Sequence, residues 1–302
     1  MPPGARKQTS RAPKNLAKMP WTKGQPFKSD ATTETAPKSN LRPQGSNWGR
    51  KFRSSHDYFA FVKQAAESAL HGDGAASLYI SRALDTCHLQ VALFGNSSDP
   101  QAAFQAWLAT QVNDPEPMLA EFQRKFSLCR GFFNGNAFAS LPPKKGGYLS
   151  ASYWRQLAYK EGNPVAEVLH VTTEIRGFRS GARVITAAQK TLINAVSSGD
   201  PEAVFRAGFF LTDGYASSSL SGFAVAIAGC DLGYDCSANN PVIFGACAEF
   251  GQCPAGLTYA DIVTKAIGPS GYARAYAMAR QLEQAISQGD RATVAEFVQL
   301  HR

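Results

Sequence analysis

A glycine followed directly by Asp or Asn recurs at four junctions between helix-like segments of the chain. A glycine just past a helix adopts the left-handed conformation that satisfies the last helical carbonyls, and the next Asp or Asn caps the helix that follows. Two helices joined this tightly pack as an antiparallel αα-hairpin. The junctions read ALHGDGAAS, AYKEGNPVAEV, AVSSGDPEAVF and AISQGDRATVA, with glycines at Gly72, Gly162, Gly199 and Gly289. Small residues that let the paired helices approach closely follow at Ala76, Ala166 and Ala203.

The segments around these junctions have helical periodicity. In DPEAVFRAGFFL, Asp200 and Pro201 predict the start of a helix. A buried stripe at helical spacing follows at Val204, Ala207, Gly208 and Leu211. The best candidates for strands, ARVIT (182–186) and PVIF (241–244), are too short and isolated to predict a sheet. The sequence therefore predicts an all-α fold, a short helical-repeat array of αα-hairpins.

Positive charge is concentrated at the N-terminus. Residues 1–55 hold twelve Lys or Arg and two acidic residues, a net charge of +10, whereas the rest of the chain holds 19 basic and 21 acidic residues. The N-terminal segment is rich in Pro, Ser, Thr, Asn and Gln and has no regular period, so we expect residues 1–54 to be a disordered basic tail. Residues 55–302 then form a helical-repeat-like domain, with possible halves at 55–140 and 150–302. Such a tail attracts nucleic acid or an anionic membrane nonspecifically, and the alternative is a solvated linker without a fixed partner.

Two stretches have a family resemblance: YWRQLAYKEGNPVAEVLH (153–170) and AAQKTLINAVSSGDPEAVFRAGFFLTDGYAS (187–217). They resemble the Sel-one-like class of tetratricopeptide-related repeats, whose units have an aromatic and Ala-rich first helix, a Gly-Asp/Asn turn, an Ala early in the second helix and a closing glycine, here Gly214. The resemblance implies a non-enzymatic scaffold or adaptor that binds a protein or peptide partner, largely through first helices. Tyr153, Trp154, Arg155 and Lys160 lie on such a helix, although repeats of this class bury their aromatic residues more often than they expose them.

The resemblance has gaps. Thr293 stands in the Ala position of the last junction, and long stretches of the chain lack the pattern. A non-repetitive helical bundle is therefore the alternative fold. The Cys-rich C-terminal region also resembles bacterial proteins that have a similar ending and no assigned activity.

The six cysteines are candidates for disulfide bridges. Four of them lie between Cys230 and Cys253 with five, ten and five intervening residues, whereas zinc sites usually separate paired ligands by about two to four. Disulfides are therefore favoured over free thiols and over a metal site. A Cys87–Cys129 bridge would contribute about 4 kcal/mol, and a bridge across a five-residue gap about 2.4 kcal/mol. Two bridges among the four C-terminal cysteines allow three pairings. The disulfide candidates are Cys87, Cys129, Cys230, Cys236, Cys247 and Cys253.

No other motif predicts chemistry. The stretch PPKKGGY (142–148) lacks the spacing of a phosphate-binding loop, and the five histidines form no metal-binding or general-base arrangement. The sequence thus predicts no catalytic residue, no cofactor and no metal ligand.

Localisation depends on two opposing observations. No segment near the N-terminus resembles the apolar core of a secretory signal, and no apolar run is long enough to predict a transmembrane segment. Disulfides, however, indicate an oxidising compartment, so we expect an exported protein, periplasmic or extracellular, rather than a cytoplasmic one. Two other functions stay open: a nucleic-acid or membrane-surface protein tethered by residues 1–54, and a secreted effector whose basic N-terminus is a secretion signal.

Overall fold

Helices make up nearly all of the described part of the molecule. The computed structural model describes residues 47–111, 116–133, 151–177, 182–212, 219–237, 240, 243 and 257–300. These residues form no β-strand, which confirms the predicted all-α fold, and ARVIT belongs to a helix. PPKKGGY, Gly214 and PVIF apart from Ile243 lie outside the described residues. The α-helices are α1 (Asn47–Arg53), α2 (Tyr58–Leu70), α3 (Gly74–Phe94), α4 (Pro100–Leu108), α5 (Glu116–Cys129), α6 (Ala151–Lys160), α7 (Pro164–Gly177), α8 (Ala182–Ser197), α9 (Pro201–Phe210), α10 (Ser219–Asp231), α11 (Tyr259–Gln288) and α12 (Arg291–Phe297).

The four predicted hairpin turns are present. They join α2 to α3, α6 to α7, α8 to α9 and α11 to α12, and the glycines are left-handed, with φ of 93°, 71°, 69° and 68° at Gly72, Gly162, Gly199 and Gly289. The next side chain accepts hydrogen bonds from amides two or three residues further on, at Asp73, Asn163, Asp200 and Asp290. The predicted small residues have no exposed surface, at Ala76, Ala166 and Ala203. Local chain chemistry therefore sets these turns as expected.

Neighbouring hairpins pack side by side through α3 and α6 and through α7 and α8. The Ser77 hydroxyl of α3 donates to Glu161 Oε2 beyond the end of α6 (3.1 Å), while Asp85 pairs with Arg155. Residues later in α3 therefore contact residues earlier in α6, so these two helices are antiparallel. One hydrophobic core includes side chains from both predicted halves of the domain.

Helices α9 and α10 pack backbone to backbone. A Cβ atom at Gly208 would overlap the backbone of Ala226, and one at Gly229 would lie 2.5 Å from the amide nitrogen of Phe205. Only glycine permits this approach. The predicted buried stripe is confirmed in full: Val204, Ala207 and Gly208 are buried on α9, and so is Leu211 directly after it.

The folded domain begins earlier than predicted. Residues 47–53, assigned to the disordered tail, form α1, so the predicted boundary at residue 54 is wrong for this segment. The Trp48 indole Nε1 donates to Asp73 Oδ2 (2.7 Å), and the Phe52 ring stacks on Tyr58 with centroids 4.7 Å apart. These contacts anchor the short helix to the first hairpin. Residues 1–46, the rest of the predicted tail, lie outside the described residues.

Candidate functional site

The structure joins four of the six candidate cysteines in two disulfide bridges. The inner bridge, Cys87–Cys129, connects α3 to α5 with Cα atoms 5.3 Å apart, and neither cysteine has exposed surface. The outer bridge, Cys230–Cys236, connects the last turn of α10 to the turn after it with Cα atoms 5.6 Å apart, and both cysteines are partly exposed. Cys247 and Cys253 lie outside the described residues. The two bridges therefore differ in burial and in what they hold together.

An apolar strip is exposed on the C-terminal half of α3. We define it as Leu89, Ala92 and Leu93, of which the two leucines are 60% and 53% exposed. The other faces of this half of α3 are fixed by the inner bridge to α5 and by an aromatic cluster in which Phe94 packs with α4 and α5. Because these contacts set the rotation of α3, the strip is held outward.

Polar groups and a further aromatic ring lie around the strip. On α3 itself, His88 and Asp85 are exposed, and Asp85 forms an ion pair with Arg155 of α6. Tyr153, in the first turn of α6, is 44% exposed. Since α6 runs antiparallel to α3, this first turn lies toward the end of α3 that has the strip. Apolar residues rimmed by charged groups are typical of a surface that binds another protein.

A buried charge cluster connects α3 to α9. Glu202 Oε2 accepts hydrogen bonds from Arg82 Nη1 (2.8 Å) and from the Tyr79 hydroxyl (3.1 Å). Glu202 Oε1 accepts from Arg206 Nε (2.8 Å) and also pairs with Arg82. Its side chain is 9% exposed. We call these four residues the Glu202 cluster. Every charge in it has an opposite partner, as a buried charge requires.

The electrostatics of the Glu202 cluster keep it ionised. Burial favours the neutral acid, but the guanidinium groups of Arg82 and Arg206 outweigh burial and hold the pKa of the Glu202 carboxyl well below its usual range. Burial, together with the charge of Glu202, raises the pKa of Tyr79, so its phenol stays a neutral donor. The cluster thus acts as a fixed ionic clamp between two hairpins rather than as a titrating group.

The histidines and the acidic residues form no metal site in the part of the chain that the structure describes. His71 Nδ1 lies 2.7 Å from the Glu67 carbonyl oxygen, and His170 stacks on Tyr159 with ring centroids 3.9 Å apart. Across the same residues, no helix combines the length and the apolar character needed to cross a bilayer.

Comparison with known proteins identifies no relative: no protein-family model, no curated protein and no solved structure matches this chain. Of the residues singled out on α6, Trp154 is fully buried while Tyr153 is exposed. Sequence reasoning missed the apolar strip, although Leu89 and Leu93 lie four residues apart, which is the spacing of one helix face.

Proposed function

We propose that this protein is a non-enzymatic scaffold that binds a protein or peptide partner, as the resemblance to Sel-one-like repeats implies. The observation that carries the proposal is the apolar strip, whose two leucines are each more than half exposed on a helix held by a disulfide and an aromatic cluster. A rigid helix face loses little conformational entropy on binding, which favours recognition.

The surroundings of the strip favour a partner with an apolar anchor residue. Tyr153 offers an amphipathic ring of the kind enriched at binding surfaces. Asp85 and Arg155 already neutralise each other, so their pair supplies a polar rim without a strong net charge. We therefore expect affinity to depend on apolar contacts and to be insensitive to salt.

The test is selection of a random peptide library on the immobilised, oxidised protein, with affinities of enriched peptides measured by calorimetry. We expect enriched peptides with apolar residues at helical spacing, and loss of their binding in the Leu89→Glu/Leu93→Glu variant. Leu70→Glu is the matched control, because Leu70 is 48% exposed at the end of α2 and lies outside the strip. No enrichment, or equal binding by both variants, would overturn the proposal.

A second candidate function is association with nucleic acid or with a membrane surface, tethered by the basic N-terminal segment. The observation that favours it is that α1 has three basic residues in its last turn, Arg50, Lys51 and Arg53, and is packed on the domain. Replacing Arg50, Lys51 and Arg53 by Gln, and in a second variant deleting residues 1–46, should each lower the salt concentration that elutes the protein from heparin. Unchanged elution would reject tethering while leaving peptide binding by the strip untouched.

The two bridges support a proposal on location. Disulfides persist in oxidising compartments, so we place the protein outside the cytosol. Alkylation of protein from its native source before reduction, followed by intact mass measurement, should find no alkylated thiol at Cys87, Cys129, Cys230 or Cys236. Alkylation of all four would show that the cysteines are reduced in the native source and would favour the cytosol. A reporter fused to residues 1–46 tests whether this segment directs export, as a secreted effector would require.

A further inference from the structure

A cleft of about 340 Å³ lies where α10 ends and α11 begins. Its size is at the lower end of the range found for small-molecule sites. It is separate from the apolar strip and from the Glu202 cluster. The residues that line it are Ile227, Cys230, Asp231, Cys236, Ser237, Thr258, Tyr259, Ala260 and Tyr272.

One side of the cleft has negative charge and aromatic rings. The exposed Asp231 lies close to Glu283, whose side chain is 13% exposed and accepts from Arg280 Nη1 (2.5 Å). Tyr272 lines the cleft and stacks on Tyr276, with ring centroids 6.2 Å apart. A carboxylate beside tyrosine rings is the combination that attracts an organic cation.

The other side of the cleft is apolar. Ile227, Ala260 and the outer bridge offer apolar contact. This wall therefore fits the carbon body of a ligand.

We infer that this cleft binds an organic ammonium group, with Asp231 and Tyr272 around the cation and the apolar wall against its carbon body. Such a group belongs to a free amine or to the lysine side chain of a protein. The site goes beyond the proposed scaffold function, because it shares no residue with the apolar strip.

The carboxyl groups of Asp231 and Glu283 couple ligand binding to the release of a proton. Burial, and then the charge of Asp231, raise the pKa of Glu283 to about 7, against the effect of Arg280. Asp231 from α10 and Arg280 and Tyr276 from α11 are the charged and titratable groups around it. A bound cation stabilises the ionised form of both carboxyl groups, so a proton held by Glu283 is released. Below about pH 7, ligand binding should therefore release protons.

The experiment compares tyramine with tyrosol, its neutral analogue in which a hydroxyl replaces the ammonium, by calorimetry and by amide chemical shifts of the full oxidised chain. A second arm compares the peptide acetyl-Gly-Lys-Gly-amide with its norleucine analogue. We expect the cation of at least one pair to bind at least about tenfold more tightly than its neutral analogue. The pair that shows this preference identifies the source of the ammonium.

The variants test the named groups. Asp231→Asn should weaken binding about tenfold, while Glu296→Gln, which removes an equal exposed charge on α12, should not. Tyr272→Leu removes the ring without touching a charge and should also weaken binding. Titrations at pH 6.5 in two buffers of different ionisation enthalpy should detect proton release in the wild type and none in Glu283→Gln. No binding of either cation at millimolar concentration, equal binding of the neutral analogues, or full binding by Asp231→Asn would overturn the inference.

Discussion

Replacing Glu202 by Gln should strongly destabilise the fold without changing its shape. Gln keeps the volume of the side chain but removes the charge that holds Arg82 and Arg206. Each charge-assisted hydrogen bond contributes about 1.5–3 kcal/mol, and Glu202 receives two of them at 2.8 Å. The arginine side chains are 17% and 23% exposed, so water replaces the lost partner poorly. Breaking a buried pair from one side costs about 3–5 kcal/mol, and we expect a loss in this range.

The assay is urea unfolding at pH 7 with the disulfides intact. A double-mutant cycle with Arg82→Met isolates the pair: the double variant should lose less than the sum of the two single losses, because it leaves no unpaired charge on α3. Glu296→Gln, an exposed charge on α12, is the control and should change the free energy of unfolding by less than about 0.5 kcal/mol. A loss below about 1 kcal/mol for Glu202→Gln, or strict additivity in the cycle, would refute the clamp.

The difference in unfolding free energy between the wild type and Glu202→Gln should depend on pH. Because the folded pKa of Glu202 lies below the unfolded value of about 4.3, its stabilisation is complete above that value. As pH falls below it, the gap in unfolding free energy between wild type and Glu202→Gln should narrow, and it should vanish only below the folded pKa. Unfolding midpoints at pH 3, 5 and 7 measure this gap, and a gap that grows toward acid would contradict the stated electrostatics.

Packing and exposure determine the outcome of three more perturbations. Gly229→Ala should lower the free energy of unfolding in urea by at least about 1–3 kcal/mol, since its Cβ would meet the backbone of α9. The control Ala273→Gly, on the exposed face of α11, should lower it by no more than about 1 kcal/mol. Under native conditions with graded reductant, mass spectrometry should find the outer bridge reduced before the inner bridge, which has no exposed surface; simultaneous reduction would contradict the burial difference. Deletion of residues 1–46 should leave the thermal midpoint unchanged. Deletion of residues 1–54 should lower it, because this removes Trp48 and Phe52 from the core. Equal midpoints would show that α1 contributes nothing to stability.

Features set by neighbours in the chain were predictable. The glycine of each hairpin turn and the capping Asp or Asn act within a few residues, so a short sequence window contains the whole cause. The start of α9 after its cap Asp200 and the buried stripe follow from the same local chemistry. The predicted end of the tail at residue 54 was wrong because it came from the average composition of a long polar segment. That average concealed Trp48 and Phe52, which lie four positions apart on one short helix.

Features set by contacts between distant segments were not predictable. Glu202 lies 123 residues from Tyr79 and 120 from Arg82, and nothing in one sequence reports that α3 and α9 meet. The exposure of Leu89 has the same origin, because a leucine on a helix is normally buried and its outward direction depends on where α4 and α5 pack. For the cysteines, the sequence favoured bridges but left three C-terminal pairings open, and the structure pairs Cys230 with Cys236.

The central claim, that the apolar strip binds a protein partner, is tested most directly by photo-crosslinking in the cells that produce the protein. A benzophenone amino acid replaces Leu89 in one variant and Leu70 in the other, since both side chains are exposed but only the first lies in the strip. After irradiation, we expect a discrete covalent adduct with one partner from position 89, identified by mass spectrometry, and none from position 70. No adduct from either position, or the same adducts from both, would contradict a binding role for this face of α3.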